Sequence, residues 1–333
     1  MSKIQNIGKY LDQPILVGKF SKAMPAILCG GSLAYGVNEI HKSPNENKKK
    51  TALHTGIILA STVLSSLVAP KIASKAVGKK YEKIDLKQLY RQNTIDINNY
   101  LKENNHNTET NKILNKAKSE ILNLKEITTL KNDLLKTTNG DKFFKQLIPE
   151  PENITSKDIL QDMGRLSVMG AIPVGGGIIG GTIADRITES EDWKEKFPDK
   201  VKEGIYQYLA NIFLCNVGAA SALGLMESLK IKSKATRALG MVAGIVATGV
   251  MGGSYIANSI SKKVVSPMLD KKFYHHKKVH KDERKPEILD VCLHTDDVAT
   301  IAVMSGFKWI EPALPILYAV SGYRAAIGYR GKD

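Results

Sequence analysis

The chain has 333 residues, a formal net charge of +15 and only 6% aromatic residues. Its mean hydropathy of −0.18 is too polar for a protein lying wholly in lipid. The basic charge without interleaved aromatics argues against nucleic acid as a partner, because single strands are gripped by stacking platforms set between cations.

Residues 1–22 are basic, with Lys3, Lys9, Lys19 and Lys22 against Asp12. Ala23–Asn38 is uncharged and holds Pro25 and Gly30-Gly31. It is short for a span, although Lys22 and Lys42 can snorkel to an interface. No cleavable leader is expected, since the first apolar run starts only at Ala23. Thr51–Pro70 is again uncharged, with a single His54, and Pro70 is expected to stop it. A helical hairpin with a Lys-rich turn at Lys48–Lys50 is the prediction for this part of the chain.

Residues 71–164 change character, being rich in Asn, Lys, Thr and Glu. Ile113, Ala117, Ile121, Leu124, Ile127 and Leu135 recur at helical spacing, and Leu114, Leu122, Leu130 and Leu134 widen the stripe. This predicts an amphipathic helix or helix pair. It could form a small bundle, lie on a membrane, or seat a partner along residues 108–137. Asn139-Gly140 is a turn signal, and Thr155 with Asp158 has the spacing of a capping box.

Three uncharged stretches follow, Leu166–Ala184, Gly204–Met226 and Ala238–Ser261. As helices rising about 1.5 Å per residue, each covers roughly 28–36 Å, the thickness of a hydrocarbon core. The intervening segment Asp185–Glu203 is read as an acidic loop, and Glu227–Arg237 as a basic one. The positive-inside rule puts the second loop, and residues 79–163 with it, on the cytoplasmic side. Val298–Tyr323 is apolar apart from Lys308 and Glu311 and contains Pro312 and Pro315, as a broken or re-entrant span would. Lys308 and Glu311, three apart, are a candidate intramembrane ion pair.

The glycines of these stretches fall at intervals of four. Gly176 pairs with Gly180 and Gly177 with Gly181. Gly240, Gly244, Thr248 and Gly252 form one small-residue ridge, and Gly249, Gly253 and Ala257 a second. Such ridges let helix backbones approach closely where no hydrophobic force acts between helices. Gly175–Gly180 also matches the dinucleotide fingerprint, but no acid ending a buried strand follows at the right distance. No cofactor is expected. His275, His276 and His280, with Cys292 and His294 further on, lie among lysines that oppose a cation, so no metal is expected either. Cys29, Cys215 and Cys292 form no disulfide or zinc pattern. The three stretches carry no carboxylate, which argues against a pump, and no catalytic constellation is identifiable.

The sequence therefore predicts an all-α polytopic membrane protein with about four to six spans and a polar helical insertion between the second and third. Four regions are expected: 1–78, basic lead and hairpin; 79–163, amphipathic insertion; 164–262, glycine-rich three-span core; and 263–333, basic loop and broken apolar segment. A non-enzymatic scaffold or assembly component of a bacterial cytoplasmic membrane is the expected function. Its expected partners are anionic lipid headgroups, a protein on the 108–137 segment, and further copies of itself. A small-solute transporter or channel is the alternative, and a soluble or peripheral helical protein a further one.

Overall fold

The computed structural model describes residues 10–79, 84–149, 155–188, 193–231, 234–273 and 310–328. Among them there is no strand, and the protein is all-α. The helices are α1 (Pro14–Lys42), α2 (Lys48–Ala76), α3 (Leu86–Glu103), α4 (Thr108–Ala117), α5 (Leu124–Leu134), α6 (Gly140–Leu147) and α7 (Ser156–Thr188). They continue with α8 (Trp193–Ser228), α9 (Thr236–Leu269) and α10 (Leu314–Ile327). Among the described residues four helical runs are long and apolar enough to cross a membrane: Asn45–Ala76, Lys157–Thr188, Trp193–Ser228 and Thr236–Leu269, of 32, 32, 36 and 34 residues. At about 1.5 Å per residue these are roughly 48–54 Å long, so their ends extend beyond a hydrocarbon core of about 30 Å.

The chain divides into two compact units. One comprises Met1–Met24, Glu82–Asn153 and Gly306–Pro312, and the other Pro25–Tyr81, Ile154–Ser305 and Ala313–Asp333. The first is built from four short amphipathic helices around Ile97, Leu114, Leu130, Leu134 and Phe144. Its asparagines and one aspartate start helices. Asp85 accepts the backbone N–H groups of Lys87 and Gln88, Asn107 that of Thr110, and Asn123 that of Glu126 in a full capping box. Such side chains satisfy amide groups that a helix start otherwise leaves without partners. The long apolar stripe expected here is thereby cut into α4 and α5, and the fresh start at Asn123 resets its phase. Ile113, Leu114, Leu122 and Ile127 are buried, whereas Leu124 and Leu135 are exposed. Gln13 completes this unit: it donates to the Leu122 carbonyl and accepts the Leu122 N–H, both at 2.8 Å, as a β-bridge partner would.

The second unit is a close-packed bundle of α2, α7, α8, α9 and α10 with the later half of α1. Helix α7 lies antiparallel to α2, since Ser61 Oγ donates to the Gly176 carbonyl at 2.6 Å while His54 reaches Asp185. The expected stop at Pro70 is not observed, and the predicted loop Asp185–Glu203 is helical at both its ends. Pro70 lies inside α2, α7 runs on to Thr188, and α8 starts at Trp193. The carbonyl left without a donor by a proline can be satisfied by neighbouring groups in a packed bundle. Among the described residues three stretches are π-helical, Leu209–Phe213 in α8 and both Val246–Gly253 and Ser261–Val265 in α9. Large apolar side chains point outwards along the bundle, among them Leu33, Leu64, Leu239 and Tyr255. An apolar exterior of this kind suits lipid rather than water.

Candidate functional site

The dinucleotide-like glycines Gly175–Gly180 lie in the middle of α7, with no strand before them. Gly176 and Gly180 receive Ser65 and Ser61 of α2, where an added Cβ would strike the serine side chains. On the opposite side of α7, a Cβ on Gly177 would overlap the Gly322 carbonyl, and one on Gly181 the Ala326 carbonyl, both in α10. Gly240 lies against Met226, Gly244 against the Gly218 carbonyl, Gly249 against Cys215 and Gly253 against Ala210. Gly252 faces only its own helix, with the Ala247 carbonyl at 3.4 Å from an added Cβ. Lys308, His275, His276, His280, Cys292 and His294 lie outside the described residues. Glu311 opens a 3-10 turn, Glu311–Ala313.

The bundle also encloses charge, which the sequence reading placed elsewhere. Asp185 directly follows one uncharged stretch and Glu203 directly precedes the next, so both were read as loop residues. In the structure they are 2% and 1% exposed. The Asp185 carboxylate receives His54 Nε2 from α2 at 2.8 Å and Lys200 Nζ from α8 at 3.0 Å. The Lys200 ammonium also donates to the Ala326 carbonyl in the last turn of α10. Glu203 pairs with Arg324 of α10, with Nη2 at 3.7 Å. Four helices thus contribute to one network whose formal charges balance when His54 is neutral: Asp185 with Lys200, and Glu203 with Arg324.

A ladder of amides continues from this network along α8. Gln207 Nε2 donates to Glu203 Oε1 at 2.8 Å, and Asn211 Nδ2 donates to Gln207 Oε1 at 3.0 Å. Every donor in the ladder is directed towards Glu203. Residues 203, 207 and 211 share one face because four residues make about one α-helical turn. Asn216, five residues beyond Asn211, would leave that face in an unbroken α-helix, yet both are buried. The π stretch Leu209–Phe213 lies between them, and its i→i+5 bonding brings residues five apart towards alignment. Asn216 then donates to Ser167 Oγ of α7 at 3.2 Å.

The Arg186 guanidinium lies 5.8 Å from the centre of the Trp193 ring, next to Lys194, a grouping suited to a membrane interface. Counting along α8 from Trp193 at about 1.5 Å per residue, Lys200 is roughly 10 Å and Glu203 roughly 15 Å further in. At the opposite end of α7, Lys79 and Arg165 share Asp162 at 2.9 and 3.4 Å. Ionisable groups at such depth are costly and persist when paired, as these are.

The signal for the network was present in the sequence as Lys200, Glu203, Gln207 and Asn211, spaced three or four apart at the start of α8. It is obscured because a charged residue ends an uncharged run. Comparison with protein-family models, curated proteins and solved structures finds no match.

Proposed function

We propose that this protein is a non-enzymatic scaffold or assembly component of a membrane, in a bacterium the cytoplasmic membrane, with residues 79–163 on the cytoplasmic side. The observation that carries this reading is the packing of backbone on backbone at Gly177–Gly322, Gly181–Ala326 and Gly218–Gly244. Helices held at such range form a stiff platform. The basic residues Lys42 and Lys48–Lys50 at the turn between α1 and α2 suit anionic headgroups. Since the apolar face of residues 108–137 is used in its own core, a protein partner there would meet the outer face carrying Leu124 and Leu135. The test is chemical cross-linking in native membranes followed by native mass measurement in nanodiscs. A stoichiometric partner or a defined homo-oligomer supports assembly; a monomer without a stoichiometric partner opposes it.

A transporter or channel for a small solute is the second reading, favoured by the buried charge network. Ionisable residues inside a membrane bundle mark ion and substrate paths, and a buried ion pair is weak evidence for a stabilising role. Solute flux in proteoliposomes, lost on Glu203→Gln, would favour it over the scaffold.

A further inference from the structure

Helix α10 has 14 residues, so at about 1.5 Å per residue it spans roughly 21 Å, less than a hydrocarbon core of about 30 Å. Its C-terminal end is inside the bundle: Ala325 and Ala326 are fully buried. The last carbonyls of a helix carry its negative dipole end and need donors. In this protein the Ala326 carbonyl shares the Lys200 ammonium with the buried Asp185 carboxylate, so two electronegative groups converge where solvation is poor. A cation suits such a place, and the one present is the ammonium of Lys200, ion-paired with Asp185 at 3.0 Å and donating to the Ala326 carbonyl.

We propose that the C-terminal end of α10 and the Asp185 carboxylate form a binding site for a monovalent cation, occupied here by the chain's own tethered ammonium. The neighbouring groups leave the site to a compact cation. Arg324 is turned to Glu203 of α8, and His54 of α2 takes the other carboxylate oxygen of Asp185. The His54 side chain is 20% exposed, against 3% for Lys200 and 2% for Asp185, so the site is most open on the His54 side. Lysine is a point charge on a flexible stem, which a free ion of similar size can replace; a guanidinium would be held by its planar fork. Short helices ending within a bundle supply cation ligands in the same way in transporters. The inference deepens the transport reading and gives its site a ligand class, a monovalent cation.

The test is replacement of the tethered cation by a free one. Full-length Lys200→Ala protein in detergent is melted against increasing NaCl, KCl or ethylammonium chloride, with choline chloride at equal ionic strength as the control. The expected result is a saturable rise in the melting midpoint of Lys200→Ala with at least one of the three cations. At a concentration about 100 times the dissociation constant, the folded-to-unfolded ratio should rise about 100-fold. Wild type, in which the tethered ammonium competes for the site, should show the same rise only at higher concentration, and adding Asp185→Asn to Lys200→Ala should abolish the rise. If Lys200→Ala responds to none of the three beyond choline, the proposal is overturned. Should the variant not fold alone, it is purified in the presence of each cation, and failure of all three to recover folded protein overturns it equally. Binding without flux in proteoliposomes would remove the transport reading and leave the cation site standing.

Discussion

Gly218 of α8 and Gly244 of α9 face each other so closely that a Cβ on either would overlap the carbonyl of the other. Thr248 fastens the same contact by donating to the Leu214 carbonyl at 2.7 Å. Leucine at position 244 must therefore separate the helices. Overpacking of this kind costs about 1–3 kcal/mol, occasionally more. Gly244→Leu is expected to lower the yield of monodisperse detergent-solubilised protein and to speed its proteolysis. Gly175→Leu and Gly224→Leu, where an added Cβ meets nothing within 4 Å, should leave both unchanged. Equal behaviour of all three variants would show that the contact does not hold α8 to α9.

Breaking one side of a buried ion pair leaves the other charge stranded, at about 3–5 kcal/mol. Asp185→Asn and Lys200→Met are each expected to destabilise the protein on that scale in detergent. Their combination should cost less than the sum, because no stranded charge remains. A double-mutant cycle measures the difference, and strictly additive effects would show that the two groups are not coupled.

Gln13→Leu removes both bonds to the Leu122 backbone in a site where Gln13 is 4% exposed. Each buried group left without a partner costs about 1–3 kcal/mol. Hydrogen exchange should accelerate at Leu122 and in the adjoining α5, while peptides of α7 keep their protection. Acceleration across the whole chain would mean that Gln13 supports more than this local join.

The Thr110 hydroxyl at 2.5 Å, then Lys136 at 3.2 Å, holds the Asp133 carboxyl below its ordinary value. A carboxylate with a depressed folded pKa contributes stability that is fully present above its unfolded pKa. That stability is lost as pH falls through the folded value. Protection of α4 and α5 from hydrogen exchange should therefore decline in the acid range beneath the usual aspartate pKa. Asp133→Asn should abolish that pH-dependent component. A decline of the same size in the variant would assign it to other carboxylates.

Much of the helical architecture was legible because its signals are local. Uncharged runs long enough for a bilayer and the periodicity of Ile113, Leu114, Leu130 and Leu134 need no tertiary information. The asparagine-rich segment was harder to divide: Asn107, Asn123 and Asn139 stand before helix starts, but many other asparagines nearby do not. The charge network was not legible, because hydropathy treats a charged residue as the end of a span. Asp185 and Glu203 escape that rule only because His54, Lys200 and Arg324, distant in sequence, converge on them. Nor does composition reveal a π turn, so the shared burial of Asn211 and Asn216 emerges only from the backbone.

The π stretch Leu209–Phe213 in α8 packs against its counterpart in α9, where Ala210 meets Gly253. The surplus residue of a π turn keeps the two halves of α8 in phase with their separate neighbours. Deleting a single residue between Tyr208 and Leu214 would leave length, charge and hydropathy almost unchanged. It would nevertheless turn everything beyond it by about 100°. Asn216 and Gly218 would then rotate away from Ser167 and Gly244. Along this stretch the identity of the bundle resides in the count of residues as much as in their kind.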